Sequence, residues 1–329
     1  MSKDHEIVPA DDYLHTPTDH PMWNESGWFS VSVPEHDIHG FIHTGHRPNM
    51  NMSLCGIGLY DPTGDQVYDC LYYDYGAPAP LNASTNTEMW DYTDPNSLTL
   101  RCVEPLKRFQ IGYERGGCVL DLEWTATMEP FNAGFPPGSE GWGPSHYEQA
   151  GRMTGTIRVE GREYTVDCGS NHDRSWGPRD YQSRPEADFP RHDFPWFNDG
   201  RGYAMNMYTL PTAAPLDDPV IGVTDRAIGG WIQRDDKVAR IVSGTREAVK
   251  RRADGVPATV VVEGTDELGR DFHAEGRVAN VLKWTGMPGL LVFWSGVEWR
   301  LDDGRTIWGE TGEVFTGGSG RRFLRSLPR

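Results

Sequence analysis

Short runs with strand-like patterning, separated by tight-turn signals, repeat along most of this sequence. The clearest run covers residues 118–128, where apolar side chains at every second position alternate with polar ones such as Asp121 and Glu123. This alternation is typical of a strand with one buried face. Hairpin signals such as Asp302-Asp303-Gly304 separate the runs, and no segment sustains helical periodicity. Many short strands joined by hairpins predict an all-β protein built from antiparallel barrels or sandwiches.

The chain is long for a single domain, because it has 329 residues and single hydrophobic cores stop growing near this size. Strand-like runs occur in both halves, and a stretch rich in proline and glycine separates them at residues 130–144. We therefore expect the boundary near this stretch, with an N-terminal domain at residues 1–150 and a C-terminal domain at residues 151–329.

The strongly acidic composition limits the partners of this protein. The formal net charge is −17 and the isoelectric point is about 5.0. Nucleic acids and anionic membranes both bind basic surfaces, so we expect neither as a partner. Residues 1–10 lack the apolar core of a signal peptide, and no apolar run is as long as a transmembrane helix. We expect a soluble cytoplasmic protein without membrane insertion, and formation of a homo-oligomer remains open.

The cysteines do not form a recognisable motif. None belongs to a C-x-x-C pair, and their odd number does not suit a complete disulfide framework. No cysteine has the basic neighbours or the helix start that would mark a nucleophile. We therefore expect buried free thiols in a reducing compartment. All of them lie in or beside strand-like runs, at Cys55, Cys70, Cys102, Cys118 and Cys168.

Four histidines are closely spaced, at His36, His39, His43 and His46. On a helix this spacing would suit a metal site. The surrounding residues favour strand and turn, where His36 faces away from His39 and His43, so we expect no metal there. GxSxG, HExxH, P-loop and GxGxxG motifs are also missing from the sequence. We expect neither a metal nor an organic cofactor.

The densest group of titratable and aromatic side chains lies at residues 171–181, directly after a strand-like run at residues 162–168. Such a group at a strand end predicts the mouth of a cavity. Burial there would raise the pKa of the Asp173 carboxyl group and prepare it to act as a general acid. The rings of Trp176 and Tyr181 would face a cation formed in the reaction.

The geometry of this group depends on how far the strand extends. In an extended strand, Asp173 points away from His172, Arg174 and Trp176, so the group converges only if the strand ends or bulges here. The alternative is structural: Asp173 pairs with Arg174 or Arg179, and Trp176 fills the core.

A second candidate site is the tripeptide His146-Tyr147-Glu148, one hairpin before the central group. His146 or Glu148 would serve as a base, and Tyr147 would orient a ligand oxygen. The alternative is a solvated turn with Tyr147 packed inward.

Further aromatic residues occur in the C-terminal half. A late hairpin combines Trp294 and Trp308 with Glu298 and Glu310, and forms either an aromatic surface with a carboxylate or ordinary barrel filling. The His192-Asp193 pair would supply an oriented imidazole or simply lie on the surface. The candidate catalytic residues are therefore Asp173, His172, Glu148 and Tyr147, and the candidate substrate-binding residues are Trp176, Arg174, Tyr181, His146, Trp196, Trp294 and Trp308.

The segments His146-Tyr147-Glu148, Gly155-Thr156-Ile157, Gly161 and Asp173-Arg174-Ser175-Trp176-Gly177 occur in this order. The series resembles the AttH-like and hydroxyneurosporene synthase (carotenoid 1,2-hydratase) family, in which a D-H-x-W-G motif follows a similar hairpin. Arg174 stands where the family often has histidine. The resemblance implies two lipocalin-like (calycin) β-domains, no cofactor, and acid-type chemistry on hydrophobic, often terpenoid, substrates.

Together these features predict a cofactor-independent lyase or isomerase. It would hydrate, dehydrate or cleave a hydrophobic terpenoid, steroid-like or aromatic small molecule. The alternative is a non-catalytic lipocalin-like binding protein for a hydrophobic ligand, since such a protein also needs polar groups in an apolar pocket.

Overall fold

The computed structural model of the protein describes residues 6–81, 91–133, 145–179, 191–212, 224–286 and 289–328. The chain divides into two compact units, one formed by Met1–Leu59 and Leu71–Asp180 and the other by Tyr60–Cys70 and Tyr181–Arg329. The division differs from the expected one at residue 150. That residue lies inside a 15-residue strand that pairs along its whole length with the next strand. This long hairpin keeps residues 145–178 in the first unit.

The first unit is an antiparallel sheet. Among the described residues, 3-10 helices accompany it at Pro9–Asp12, Pro34–His36 and Pro48–Met50. Within the described residues, its main path runs in the order β5-β4-β2-β1-β13-β12-β10-β9-β8-β7. Its strands are β1 Trp23–Val33, β2 Ile38–Arg47, β3 Met52–Ser53, β4 Gly56–Tyr60, β5 Tyr72–Asp74, β6 Ala79–Pro80, β7 Asp91–Thr93, β8 Thr99–Glu104, β9 Arg108–Arg115, β10 Cys118–Ala126, β11 Phe131–Asn132, β12 Ser145–Val159 and β13 Arg162–Pro178.

The turn between β12 and β13 sets the register of the whole hairpin. Glu160 and Gly161 occupy it with positive φ angles of 51° and 75°. Two successive left-handed residues form the turn whose twist matches a two-residue hairpin. Pairing then continues without a register shift from Val159–Arg162 to Ser145–Trp176.

The core of the first unit follows the alternation seen in the sequence. In β10, Leu120, Leu122 and Trp124 are buried, whereas Asp121 is exposed. These side chains pack with Phe29 from β1 and with the inward side chains of the neighbouring strands. The expected half-buried strand at residues 118–128 is therefore confirmed over Cys118–Ala126.

The second unit contains a closed barrel. In its described residues the strands follow the order β22-β15-β16-β17-β18-β19-β20-β21, and β21 pairs again with β22. The helix α1, Gly317–Ser326, packs its Phe323 ring against Phe315 with the centroids 5.0 Å apart. The strands are β14 Arg191–His192, β15 Trp196–Asn198, β16 Ala204–Pro211, β17 Asp225–Arg234, β18 Lys237–Arg251, β19 Pro257–Asp266, β20 Asp271–Trp284, β21 Leu290–Leu301 and β22 Thr306–Thr316.

Apolar side chains from all eight barrel strands fill the interior, including Phe197, Ile232 and Val297. A cluster of six charged side chains also lies in this unit, and all of them except Arg251 are buried: Arg191, Arg246, Arg251, Asp193, Asp225 and Glu313. The expected all-β class is confirmed, and its lipocalin-like character agrees with the closed antiparallel barrel.

The cysteines are free thiols, as expected. Cys55, Cys118 and Cys168 are buried, whereas Cys70 and Cys102 are half-buried. In the part of the chain that the structure describes, every helix is too short or too polar to cross a membrane.

Candidate active site

Strand β13 runs straight through the central group of residues. It extends to Pro178 and pairs with β12 on one side and β1 on the other. Because the strand neither ends nor bulges before Pro178, its side chains alternate between two faces. Asp173 lies on one face, and His172 and Arg174 lie on the other. The single converging group that a strand end would have produced is therefore not formed, and Tyr181 lies outside the described residues.

Four adjacent strands align side chains beside Asp173. Glu148 of β12 is its direct cross-strand partner on one side, and Trp28 of β1 is its partner on the other. His43 of β2 pairs in turn with Trp28. We call these four residues the Asp173 row. Cross-strand neighbours on one face are close enough to interact. Two carboxyl groups, an indole and an imidazole therefore lie side by side on one face of the sheet.

The Asp173 carboxyl group is half-buried. It forms neither a hydrogen bond nor an ion pair with any residue in the described ranges. Burial raises its pKa to about 6; the Glu148 charge also raises the pKa, while the charges of His146 and Arg179 lower it. With this pKa, and with no partner among the described residues, a fraction of the Asp173 carboxyl groups is protonated near neutral pH and can donate the proton.

A hydrogen-bonded chain lies beside Asp173. His146 is buried, and its Nδ1 is 2.7 Å from the Ser175 hydroxyl oxygen. Its Nε2 is 3.3 Å from Glu148 Oε1. Ser175 is the cross-strand partner of His146, one row from Asp173. The two contacts fix the orientation of the imidazole, so His146 can accept or donate a proton at a defined position.

Aromatic rings border the Asp173 row. The Trp28 ring stacks on Phe41 with the centroids 4.6 Å apart and lies 5.6 Å from the His43 ring. Tyr75 meets His43 edge-on at 5.3 Å. Burial, together with the nearby positive charges, lowers the pKa of His43 to about 3, so its ring is neutral. Aromatic rings therefore line one side of the Asp173 row, next to its polar neighbours Glu148 and His146.

The opposite face of β13 contains a buried ion pair. Arg174 Nη2 is 2.6 Å from Glu25 Oε2, and both side chains are buried. The Arg174 guanidinium also donates to the backbone oxygens of Ser26 and Tyr13. Neither Arg174 nor Arg179 forms an ion pair with Asp173 within the described residues. The ion pair of Asp173 with Arg174 or Arg179, which was the structural alternative, is therefore not formed among the described residues. Glu25 is the carboxylate that pairs with Arg174 instead.

The other candidates on this opposite face form the core. The His172 ring stacks on Phe29 at 4.2 Å, and burial lowers its pKa to about 3. The Tyr147 hydroxyl donates to the Asp12 carboxylate and lies 3.3 Å from His172 Nε2. Trp176 stacks on His15 with the centroids 4.2 Å apart. These candidates are packed away from Asp173, so the structure does not bring them into the row.

The closely spaced histidines do not form one cluster. His39 and His43 share a face of β2, whereas His46 faces the other way and His36 belongs to the preceding 3-10 helix. His39 Nδ1 lies 2.8 Å from the Ser32 hydroxyl oxygen. The expected strand is present for His39, His43 and His46, whereas His36 lies outside it.

The remaining candidates belong to the second unit. Trp196 pairs with Glu310 across β15 and β22, and Trp308 pairs with Glu298 across β22 and β21. The ring centroids of Trp294 and Trp284 lie 6.2 Å apart. Trp196, Trp294 and Trp308 have the opposite parity to the interior residues, so they lie on the outer face of the barrel strands. The Asp193 carboxylate accepts from the Thr311 hydroxyl at 2.6 Å and lies 2.8 Å from Arg246.

Sequence analysis missed three neighbours of Asp173: Trp28, His43 and Ser175. Trp28 lies in β1, a segment in which no candidate residue was predicted from the sequence. Ser175 is two residues after Asp173 and therefore lies on the same face of the strand. This spacing could have identified it from the sequence. His43 was noticed as a metal-ligand candidate rather than as part of a catalytic row.

A separate groove of about 640 Å³ lies over strands β7 to β10 and β12, with Arg101, Gln110 and Glu123 in its lining. It contains none of the candidate site residues.

Solved structures share this fold. An AttH candidate from Nitrosomonas europaea has a TM-score of 0.60 at 16% sequence identity, and the match covers 92% of this chain and 97% of that chain. Kievitone hydratase from Nectria haematococca has a TM-score of 0.55 at 10% identity and covers 95% of this chain and 94% of its own. CghA has a TM-score of 0.51 at 10% identity, with 90% of this chain and 89% of that chain covered. The expected likeness to AttH-like proteins is confirmed.

A search of curated protein sequences finds no match. The family model that matches covers residues 8–313, which is most of the chain. The chain therefore belongs to the family DUF7064, described as a domain of unknown function.

Proposed function

We propose that this protein is a lyase of the hydratase or dehydratase type, which adds water to, or removes it from, a small hydrophobic molecule. The observation that supports this proposal is the Asp173 carboxyl group, which has no partner among the described residues and a pKa of about 6. An acid whose pKa is raised by burial is what protonation of an alkene or of a leaving hydroxyl group requires. We assign Asp173 as the general acid.

The reaction in the hydration direction begins at Asp173. Its carboxyl group donates a proton to one carbon of a C=C bond, whose π electrons form the new C–H bond and leave a cation on the other carbon. The ring face of Trp28 would stabilise that positive charge. Water then attacks the cation and gives a proton to the His146 ring, which Ser175 and Glu148 hold in place. The proton returns to solvent, solvent reprotonates Asp173, and only water is consumed.

The neighbouring folds support the class of reaction. Kievitone hydratase is named for a hydration and matches nearly the full length of this chain. At 10% identity this likeness concerns the fold, so the activity of this chain is our inference from Asp173 and its row. The stacked rings of Trp28 and Phe41 favour an apolar substrate of terpenoid, steroid-like or aromatic character. The proposed steps involve no cofactor.

The test is turnover of a panel of hydrophobic alkenes and tertiary alcohols by the wild type and by Asp173→Asn. General acid–base catalysis contributes about 10²–10⁴-fold, so the variant should lose at least that factor while retaining ligand binding. Because the protonated acid reacts, the hydration rate should fall as pH rises above about 6. Asp167→Asn is the matched control, since Asp167 lies on the same strand in an exposed pair with Arg152.

Two outcomes would contradict the proposal. Saturable binding without turnover by the wild type would indicate the lipocalin-like binding protein instead. Full activity of Asp173→Asn would remove Asp173 from the mechanism.

A further inference from the structure

Three side chains that can bind metals meet inside the first unit, on the face of the sheet opposite the Asp173 row. His46 comes from β2, Cys55 from the residues between β3 and β4, and Asp94 from the turn after β7. One ligand atom from each lies within 4.8 Å of the other two, and all three side chains are buried. We call them the His46 cluster. It is built from segments that are distant in the sequence.

The His46 ring is the strongest indication of a ligand. It is 2% exposed, and neither ring nitrogen has a hydrogen-bond partner among the residues that the structure describes. A buried polar group without a partner is costly. A metal ion bound at this ring would give a ring nitrogen the partner it lacks among the described residues. A neutral imidazole with a free lone pair is the form that binds metals.

The other two members are held close to this ring. The Ser53 hydroxyl lies 3.0 Å and 2.9 Å from the two Asp94 carboxylate oxygens and 3.3 Å from Cys55 Sγ. A metal ion here would be bound by the Cys55 thiolate, because a coordinating thiol is deprotonated by the metal.

We propose that His46, Cys55 and Asp94 form a binding site for a divalent transition-metal ion, with zinc as the best fit. Nitrogen, sulfur and carboxylate oxygen are the zinc donors in proteins, and bond lengths of about 2.0–2.3 Å place tetrahedral ligand atoms roughly 3.6 Å apart. The ligand atoms, which lie within 4.8 Å of one another, would move closer together by up to about 1 Å to reach this geometry. A thiolate and a carboxylate neutralise a divalent ion, which suits a buried site, and the thiolate disfavours magnesium and calcium. Ser53 would orient the carboxylate.

The experiment uses the full chain without an affinity tag, stripped with a chelator and titrated with Co²⁺. We expect one ion per chain, a thiolate-to-cobalt charge-transfer band in the near ultraviolet, and displacement of the cobalt by Zn²⁺. Zinc should also raise the melting temperature, because it binds the folded state. Cys55→Ser should abolish the band, and His46→Gln should weaken zinc binding by about tenfold or more.

Cys118→Ser is the matched control, because Cys118 is a buried thiol of the same core and only burial raises its pKa. It should leave the band unchanged. If a variant fails to fold, alkylation of the wild type replaces it: zinc should slow labelling of Cys55 and leave that of Cys102 unaffected. The absence of the band and of the melting shift in the wild type would overturn the proposal. So would a band that persists in Cys55→Ser, since the ion would then be bound elsewhere.

Discussion

Glu313 in the second unit and Asp173 in the first unit are carboxyl groups with opposite surroundings. In the second unit, Glu313 accepts hydrogen bonds from three arginines, Arg191, Arg246 and Arg251, at 2.7–3.0 Å. In the first unit, Asp173 has no such partner among the described residues. Burial alone would raise the pKa of Glu313, but the arginine charges outweigh it and hold that pKa below its ordinary value. Burial raises the pKa of Asp173 to about 6.

The comparison shows that partners, rather than burial, decide what a buried acid can do. A carboxylate surrounded by guanidinium groups stays ionised, and its ion pairs link neighbouring strands. A carboxyl group left without a cation has a raised pKa, so it keeps its proton up to a higher pH. The same contrast exists within the first unit, because Glu25 pairs with Arg174 on one face of the sheet and Asp173 lies on the other.

The largest stability effect is expected for Glu313→Gln. The change leaves the positive charges of Arg191, Arg246 and Arg251 poorly compensated in the barrel. Breaking a buried pair costs about 3–5 kcal/mol, and we expect the free energy of unfolding to fall by at least that amount in urea titrations. Glu298→Gln is the control, because Glu298 pairs with Arg277 at the surface, where pairs contribute about 0–1 kcal/mol. Equal losses of unfolding free energy in Glu313→Gln and Glu298→Gln would contradict the difference between the buried and the surface ion pair.

Glu25→Gln should have the next largest effect, since it leaves Arg174 buried without its carboxylate. We expect a loss of about 3–5 kcal/mol at pH 7. Burial tends to raise the pKa of Glu25, but Arg174 and His15 lower it below its ordinary value of 4.5. The stabilisation is therefore present above pH 4.5 and is lost as the pH falls through the lower folded-state pKa.

Unfolding of the wild type and Glu25→Gln should accordingly differ at pH 7 and converge in acid. A double variant, Glu25→Gln with Arg174→Met, should recover part of the loss, because no uncompensated charge remains. A double variant no more stable than Glu25→Gln would argue against this account.

Asp173→Asn should have the smallest effect on stability, and of the opposite sign. The pKa of Asp173 rises from 3.8 to about 6 on folding, so the folded state holds the proton more tightly than the unfolded state. Its contribution to stability therefore falls between these two pH values and is flat above them. At 1.36 kcal/mol for each pKa unit, the variant should gain up to about 3 kcal/mol at pH 8 and little at pH 4. Destabilisation at pH 8 would reveal a cationic partner of Asp173.

Much of the fold and part of the site could be predicted from sequence. The period-two alternation at residues 118–128 identified a strand because it depends only on neighbouring side chains. The same parity rule separates Asp173 from His172 and Arg174, once β13 is known to continue to Pro178. The turn at Glu160 and Gly161 can also be predicted locally. Both residues have positive φ angles, and a glycine between two strand-like runs is a sequence signal for such a tight hairpin turn.

Only the tertiary structure decided which side chains meet. Trp28 lies beside Asp173, and Glu25 beside Arg174, because β1 pairs with β13 more than a hundred residues later in the chain. The same is true of His46, Cys55 and Asp94, whose spacing resembles no metal motif. The division at Tyr181 likewise depends on the length of the β12–β13 pairing. Alternation is a property of one strand, whereas the partner of each side chain is set by the register between strands that the chain brings together only on folding.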